Sequence, residues 1–119
     1  MLNQKIVLII NAGVLIVAGL VFTFLPNVFV HSNDHIAELM GRAFGVATLA
    51  IGFLSGLSAT IDKHKHVNQL VFASLTVYHI GLTIITTIGY IEGQLPVLMP
   101  VTHGVFALLF VALTVKNNR

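Results

Sequence analysis

The chain has 119 residues, of which 56% are hydrophobic and only 8% are charged, with a formal net charge of +2. About a quarter of the residues of a soluble domain are charged, because its surface must be solvated. The composition therefore excludes a water-soluble globular protein and indicates an integral membrane protein with a single domain, residues 1–119. Because the sequence has no cysteine, disulfides, thiolate metal sites and thiol catalysis are excluded.

Four apolar segments are each long enough to cross a bilayer, which takes about 20 helical residues. They cover residues 6–25, 36–60, 67–90 and 96–115. Pro26 ends the first segment, since proline cannot continue a helix, and Asn33 or Asp34 is suited to cap the second. Pro96 suits the first turn of the fourth segment. With short connections, these segments predict an all-α fold: an integral membrane four-helix bundle with up-down-up-down topology.

Lysine and arginine lie near the span ends on one side of this topology, while the loops on the other side contain neither. The basic residues at the span ends are Lys5, Lys63, Lys65, Lys116 and Arg119. An excess of lysine and arginine marks the cytoplasmic side of a membrane protein. We therefore predict a protein of the bacterial inner membrane with both termini in the cytoplasm.

Two of the segments carry a distinctive helical face. In the second, a small-residue stripe comprises Gly41, Gly45, Thr48, Gly52, Ser55 and Ala59. In the third, a polar stripe comprises Gln69, Thr76, His79, Thr83, Thr86 and Tyr90. Small residues let helix backbones approach closely in lipid. The two stripes can therefore meet within one bundle, and the alternative that the small-residue stripe packs against another subunit is open. Gly56 lies off the small-residue stripe and is expected to point partly outward, as a contact for self-association or for a partner.

Four ionisable residues inside the segments form the candidate site: Glu38, Arg42, His79 and His103. Glu38 and Arg42 are four residues apart, so they share a helical face and can form an ion pair. With about 1.5 Å of rise per residue, Arg42 and His103 lie roughly 10 Å below the outer ends of their segments, and His79 roughly 16 Å. We therefore predict that the four residues converge in the outer half of the bundle.

Two interpretations of this cluster remain open. Ionisable groups inside a membrane are retained mainly where they pair, line a cavity or relay protons. The cluster could bind a small molecule or a lipid headgroup. Alternatively, Glu38 and Arg42 neutralise each other, and the histidines hydrogen-bond across helices through Thr76, Thr83 or Tyr78. A metal is disfavoured by the arginine charge, and haem by the unequal depths of the two histidines, so no cofactor is predicted.

A family resemblance is carried by residues 41–81, which contain GRAFGVATLAIG, a polar turn and SLTVYHIGL. This pattern resembles small four-span bacterial membrane proteins of unassigned function. It is also faintly similar to the ergosterol-biosynthesis scaffold family, in which an Arg-x-Phe-Gly-x-x-Thr-Leu run precedes a histidine in the next helix. The matching positions are Arg42, Phe44, Gly45, Thr48, Leu49 and His79. The resemblance covers about a third of the chain and implies a membrane organiser without catalysis of its own.

Two functional hypotheses follow. The first is a non-enzymatic accessory or scaffold subunit that acts through helix–helix contacts, with membrane lipids and either other membrane protein subunits or a second copy as partners. The alternative is a small carrier, or a lipid- or small-molecule-binding bundle, that uses Glu38, Arg42, His79 and His103. An enzyme is not predicted, since the sequence offers no nucleophile–base pair, phosphate loop or metal motif. Nucleic acid is excluded as a partner because the basic residues are few and scattered.

Overall fold

The computed structural model describes residues 3–28, 35–60 and 65–117, without the side chains of residues 65–68 and 117. Its helices are α1 (Gln4–Phe24), α2 (His35–Thr60), α3 (Lys65–Ile91) and α4 (Leu98–Asn117), with a short 3-10 helix at Pro26–Val28. These described residues contain no strand. All four α-helices are long and apolar enough to cross a membrane. The predicted all-α fold class is therefore confirmed, and each helix lies within about two residues of a predicted span.

The chain divides into two compact units, one containing α1 and α2 and the other containing α3 and α4. In the first unit, Asn11 near the start of α1 bonds Ser55 near the end of α2, so the two helices run antiparallel. The prediction of one domain for residues 1–119 stays a prediction. Some predicted features lie outside the described residues: the N-cap at Asn33 or Asp34, and the basic residues Lys63 and Arg119.

Small residues bring the backbones of α1 and α2 into contact. All six residues of the small-residue stripe are buried. A Cβ added to Gly45 would lie 2.5 Å from the backbone nitrogen of Thr23, and one added to Gly52 would lie 3.1 Å from that of Ile16. The stripe is therefore confirmed as a close-packing surface, but it packs on α1. A meeting of this stripe with the polar stripe of the third segment stays a prediction.

Gly56 also faces α1. A Cβ added there would lie 3.5 Å from the Cβ of Ala12, which is ordinary van der Waals contact. Gly52 and Gly56 are one helical turn apart and share a face, and each has a neighbour on α1, Ile16 for Gly52 and Ala12 for Gly56. Gly56 is nevertheless only half-buried, so it also points partly outward, and its role as a docking contact stays a prediction.

The connection between α3 and α4 folds back along α3 before α4 begins. Gly93 has a φ of 72°, a left-handed conformation that glycine adopts without steric penalty. The amides of Gln94 and Leu95 both donate to the carbonyl of Gly89, at 2.8 and 3.1 Å. Leu95 also packs over Gly89, where a Cβ would lie 2.7 Å from its Cδ1. The chain is therefore level with Gly89 again when it reaches Leu95.

The start of α4 differs from the prediction by two residues. Pro96 lies before the helix, and its carbonyl accepts a hydrogen bond from the amide of Met99 at 3.1 Å. Pro100 is the third residue of the helix. The first four amides of a helix have no intrahelical acceptor, so the missing N–H of Pro100 costs no hydrogen bond.

Candidate functional site

The predicted ion pair forms within the first unit, on α2. Arg42 Nη2 donates to Glu38 Oε1 at 2.7 Å. Arg42 Nη1 donates to the carbonyl oxygen of Thr23 at 2.8 Å. Thr23 lies in the last turn of α1, where carbonyls lack a helical partner. Arg42 therefore neutralises Glu38 and also satisfies the end of the neighbouring helix, a second contact that the sequence did not indicate.

A second polar contact between α1 and α2 was missed by the sequence reasoning. Asn11 Nδ2 donates to Ser55 Oγ at 3.1 Å, and Ser55 Oγ donates to the carbonyl of Leu8 at 3.0 Å. Asn11 and Ser55 are fully buried. The sequence feature that indicates this contact is that Asn11 is the one strongly polar residue of the first predicted span. In membrane proteins such a residue commonly hydrogen-bonds to another helix.

The two histidines form a direct pair in the second unit. His79 on α3 and His103 on α4 approach with their Nδ1 atoms 3.1 Å apart. Their exposed fractions are 0% and 7%. The His79 ring stacks on Phe106 and Phe110, with centroid separations of 5.2 and 5.5 Å. Only one Nδ1 can carry the shared proton, so the neutral pair contains opposite tautomers.

The predicted difference in depth between the histidines is therefore wrong. It was counted from the ends of the two segments, as if both helices began at one level. The connection instead returns along α3 as far as Gly89 before α4 begins, which brings His103 level with His79. Unequal depth therefore does not argue against haem. The two histidines are paired by the direct contact between their Nδ1 atoms.

The threonines near the pair bond to their own helix. Thr76 Oγ1 donates to the carbonyl of Phe72, and Thr83 Oγ1 donates to that of His79, both at 2.7 Å. This side chain to backbone bond is a common alternative for threonine inside a helix. The histidines do hydrogen-bond across helices, as one interpretation predicted, through a direct bond between the two rings.

The four predicted site residues come together as two pairs, one within each unit. Among the residues that the structure describes, no group of three or more His, Cys, Asp or Glu side chains could hold a metal ion. The convergence of all four residues on a single site stays a prediction.

An open groove of about 470 Å³ lies along α3. Its lining residues are Ala73, Ser74, Val77 and Tyr78. Tyr78 also contacts the histidine pair edge-on, with its ring centroid 5.1 Å from that of His79 and 6.4 Å from that of His103. The groove is therefore next to the histidine pair.

Comparison with known proteins gives no match to a family model, to a curated protein or to a solved structure. The suspected resemblance of residues 41–81 to small four-span membrane proteins stays a prediction. The basis for a functional proposal is therefore the polar pairs, the helix contacts and the groove.

Proposed function

We propose that this chain is a non-enzymatic integral membrane protein that acts as an accessory or scaffold subunit through helix–helix contacts. The observation that carries this proposal is that strongly polar groups within the helices are engaged with one another. Catalysis requires such groups to converge on a substrate, whereas here they join helices or neutralise charge. The pairs are Glu38–Arg42, Asn11–Ser55 and His79–His103.

The exposed surface of the helices supports the same proposal. Large apolar side chains point outward on every helix, as at Val17, Phe53, Val77 and Leu108, which are 60% exposed or more. Such surfaces suit acyl chains or the apolar faces of other membrane helices. The proposed partners are therefore membrane lipids and either other membrane protein subunits or a second copy of this chain.

Native mass spectrometry after gentle extraction with native lipids would test the proposal. We expect a complex heavier than the 12.8 kDa chain, containing a protein partner or a second copy at a fixed ratio. An unrelated tagged four-span protein, expressed at the same level, is the control for non-specific capture. A purely monomeric chain without a protein partner would contradict the accessory role.

A second candidate, a small carrier or a lipid- or small-molecule-binding protein, is favoured by the groove that Tyr78 lines beside the histidine pair. The same spectra distinguish the two candidates. A monomer that retains one small molecule, and loses it when Tyr78→Ala is introduced, would favour the second. Retention of a protein partner by that variant would favour the first.

We further propose a location in the bacterial inner membrane with both termini in the cytoplasm. Lys5 lies in the first turn of α1, Lys65 begins α3 and Lys116 lies in the last turn of α4. An up-down-up-down topology assigns these helix ends to one side of the membrane, and an excess of lysine marks the cytoplasmic side.

Single-cysteine labelling tests this orientation, because the chain has no native cysteine. Glu92→Cys, in the turn after α3, should react with an impermeant maleimide in intact cells. Asn117→Cys, at the end of α4, should react only after permeabilisation. Both substitutions leave the lysines and arginines unchanged. The reverse pattern of labelling would contradict the proposed orientation.

A further inference from the structure

The Nδ1 atoms of His79 and His103 point at each other. The ring centroids are 5.3 Å apart and the Nδ1 atoms 3.1 Å apart. The difference of about 2.2 Å is close to the combined centre-to-nitrogen distance of two imidazole rings. Both nitrogens therefore lie near the line that joins the rings, so that their in-plane lone-pair directions oppose each other.

We propose that the His79–His103 pair is a binding site for a soft monovalent d10 metal ion, Cu(I) or Ag(I), held between the two Nδ1 atoms in linear two-coordinate geometry. A metal–imidazole bond is about 2 Å long, so linear coordination places the nitrogens about 4 Å apart. The observed separation of 3.1 Å must open by about 1 Å, so metal binding requires the two rings to rotate apart within the aromatic cluster.

The surroundings of the pair favour an ion of low charge and low coordination number. Zinc in proteins takes four ligands, or three with a water, whereas the described residues contain no third His, Cys, Asp or Glu beside the pair. Burying a charge in an apolar environment is costly, and this cost rises steeply with charge, so it disfavours a divalent ion. Imidazole nitrogen is a common ligand of copper in proteins. The aromatic rings of Phe106 and Phe110, which stack on His79, make these surroundings apolar.

Metal binding involves no net uptake or release of protons by the two histidines. In the hydrogen-bonded pair, one histidine carries its proton on Nδ1 and the other on Nε2. Binding through both Nδ1 atoms requires the first ring to hold its proton on Nε2 instead. Both rings are then neutral Nε2–H tautomers, two nitrogen–metal bonds have replaced one hydrogen bond, and the site carries the single positive charge of the ion.

The open groove along α3 lies beside the site. Tyr78 lines the groove and contacts both imidazoles. The site goes beyond the proposed accessory role, and its failure would leave that role intact, because the native mass spectrum of the protein complex is an independent measurement.

Silver uptake by the full chain in detergent tests the site. Ag(I) is used as a probe that does not change oxidation state, and bound silver is quantified after desalting. We expect one ion per chain for the wild type. His79→Gln and His103→Gln should each weaken binding by about 100-fold, in line with the upper range seen when metal sites lose supporting groups. A matched control replaces His35, His64 and His66, which lie elsewhere in the sequence, with glutamine and should bind silver as the wild type does.

A measurement on the wild type keeps the test independent of how well the variants fold. X-ray absorption of the Cu(I)-loaded chain should show two nitrogen neighbours in linear geometry. Any of four results overturns the proposal. They are no stoichiometric uptake of silver by the wild type, three or more atoms bound to Cu(I), retention of Zn(II) equal to that of silver, or a loss of silver binding when the control histidines are replaced. Circular dichroism of each variant would show whether its helices are retained.

Discussion

Replacing Gly45 with alanine is expected to lower the free energy of unfolding by about 3 kcal/mol, the upper end of the usual range for overpacking. The added Cβ would lie 2.5 Å from both the backbone nitrogen and the Oγ1 of Thr23. A side chain could rotate away, but a backbone nitrogen cannot. Helices α1 and α2 must therefore separate and lose contacts along the small-residue stripe. Unfolding of the purified protein in mixed micelles with increasing SDS would measure the change.

Gly13→Ala in α1 is the matched control for this substitution. A Cβ added at Gly13 meets nothing within 4 Å, and alanine favours a helix over glycine by about 1 kcal/mol. Gly13→Ala should therefore leave the stability unchanged or raise it. Similar losses for the two variants would contradict the backbone contact between α1 and α2.

Phe110→Ala should destabilise the second unit by about 3 kcal/mol, the low end of the usual range for a buried phenylalanine. Phe110 is fully buried and packs on Phe72, His79 and Phe106 with centroid separations of 6.1, 5.5 and 6.2 Å. Its removal leaves a cavity and forfeits those contacts. The low end applies because, in lipid, the lost packing is not accompanied by a full transfer of apolar surface from water. The same SDS titration would report the loss.

Phe53→Ala provides the comparison for the same chemical change on an exposed face. Phe53 is on α2 and is 60% exposed, so its removal opens no cavity. We expect its effect to stay within about 0.5 kcal/mol, as for other exposed substitutions. If Phe53→Ala and Phe110→Ala were equally destabilising, the aromatic packing around His79 would be refuted.

Features that depend on spacing within one helix could be predicted from the sequence. The four-residue interval between Glu38 and Arg42 predicted their ion pair, and the structure contains it. The intervals of three and four along the small-residue stripe predicted one buried face, and all its residues are buried. Both predictions rest on helical periodicity, which the sequence contains directly.

Features that depend on the path between helices could not be predicted in this way. Asn11 and Ser55 are 44 residues apart, and nothing in their local sequence pairs them. The contact between His79 and His103 depends on the connection that folds back over Gly89. A depth counted from segment ends assumes a connection that crosses directly from one helix to the next, so it placed the two histidines at different levels.

The unequal lengths of the helices relate this protein to the thickness of its membrane. Helices α1 and α4 have 21 and 20 residues and rise about 30 Å, which equals the hydrocarbon thickness of a typical bilayer. Helices α2 and α3 have 26 and 27 residues and rise about 40 Å. This hydrophobic mismatch is relieved by tilting or by extension into the headgroup layer. Glu38, in the first turn of α2, belongs to the part that can extend, so a thicker bilayer draws the Glu38–Arg42 pair toward the acyl chains and a thinner one leaves it among the headgroups.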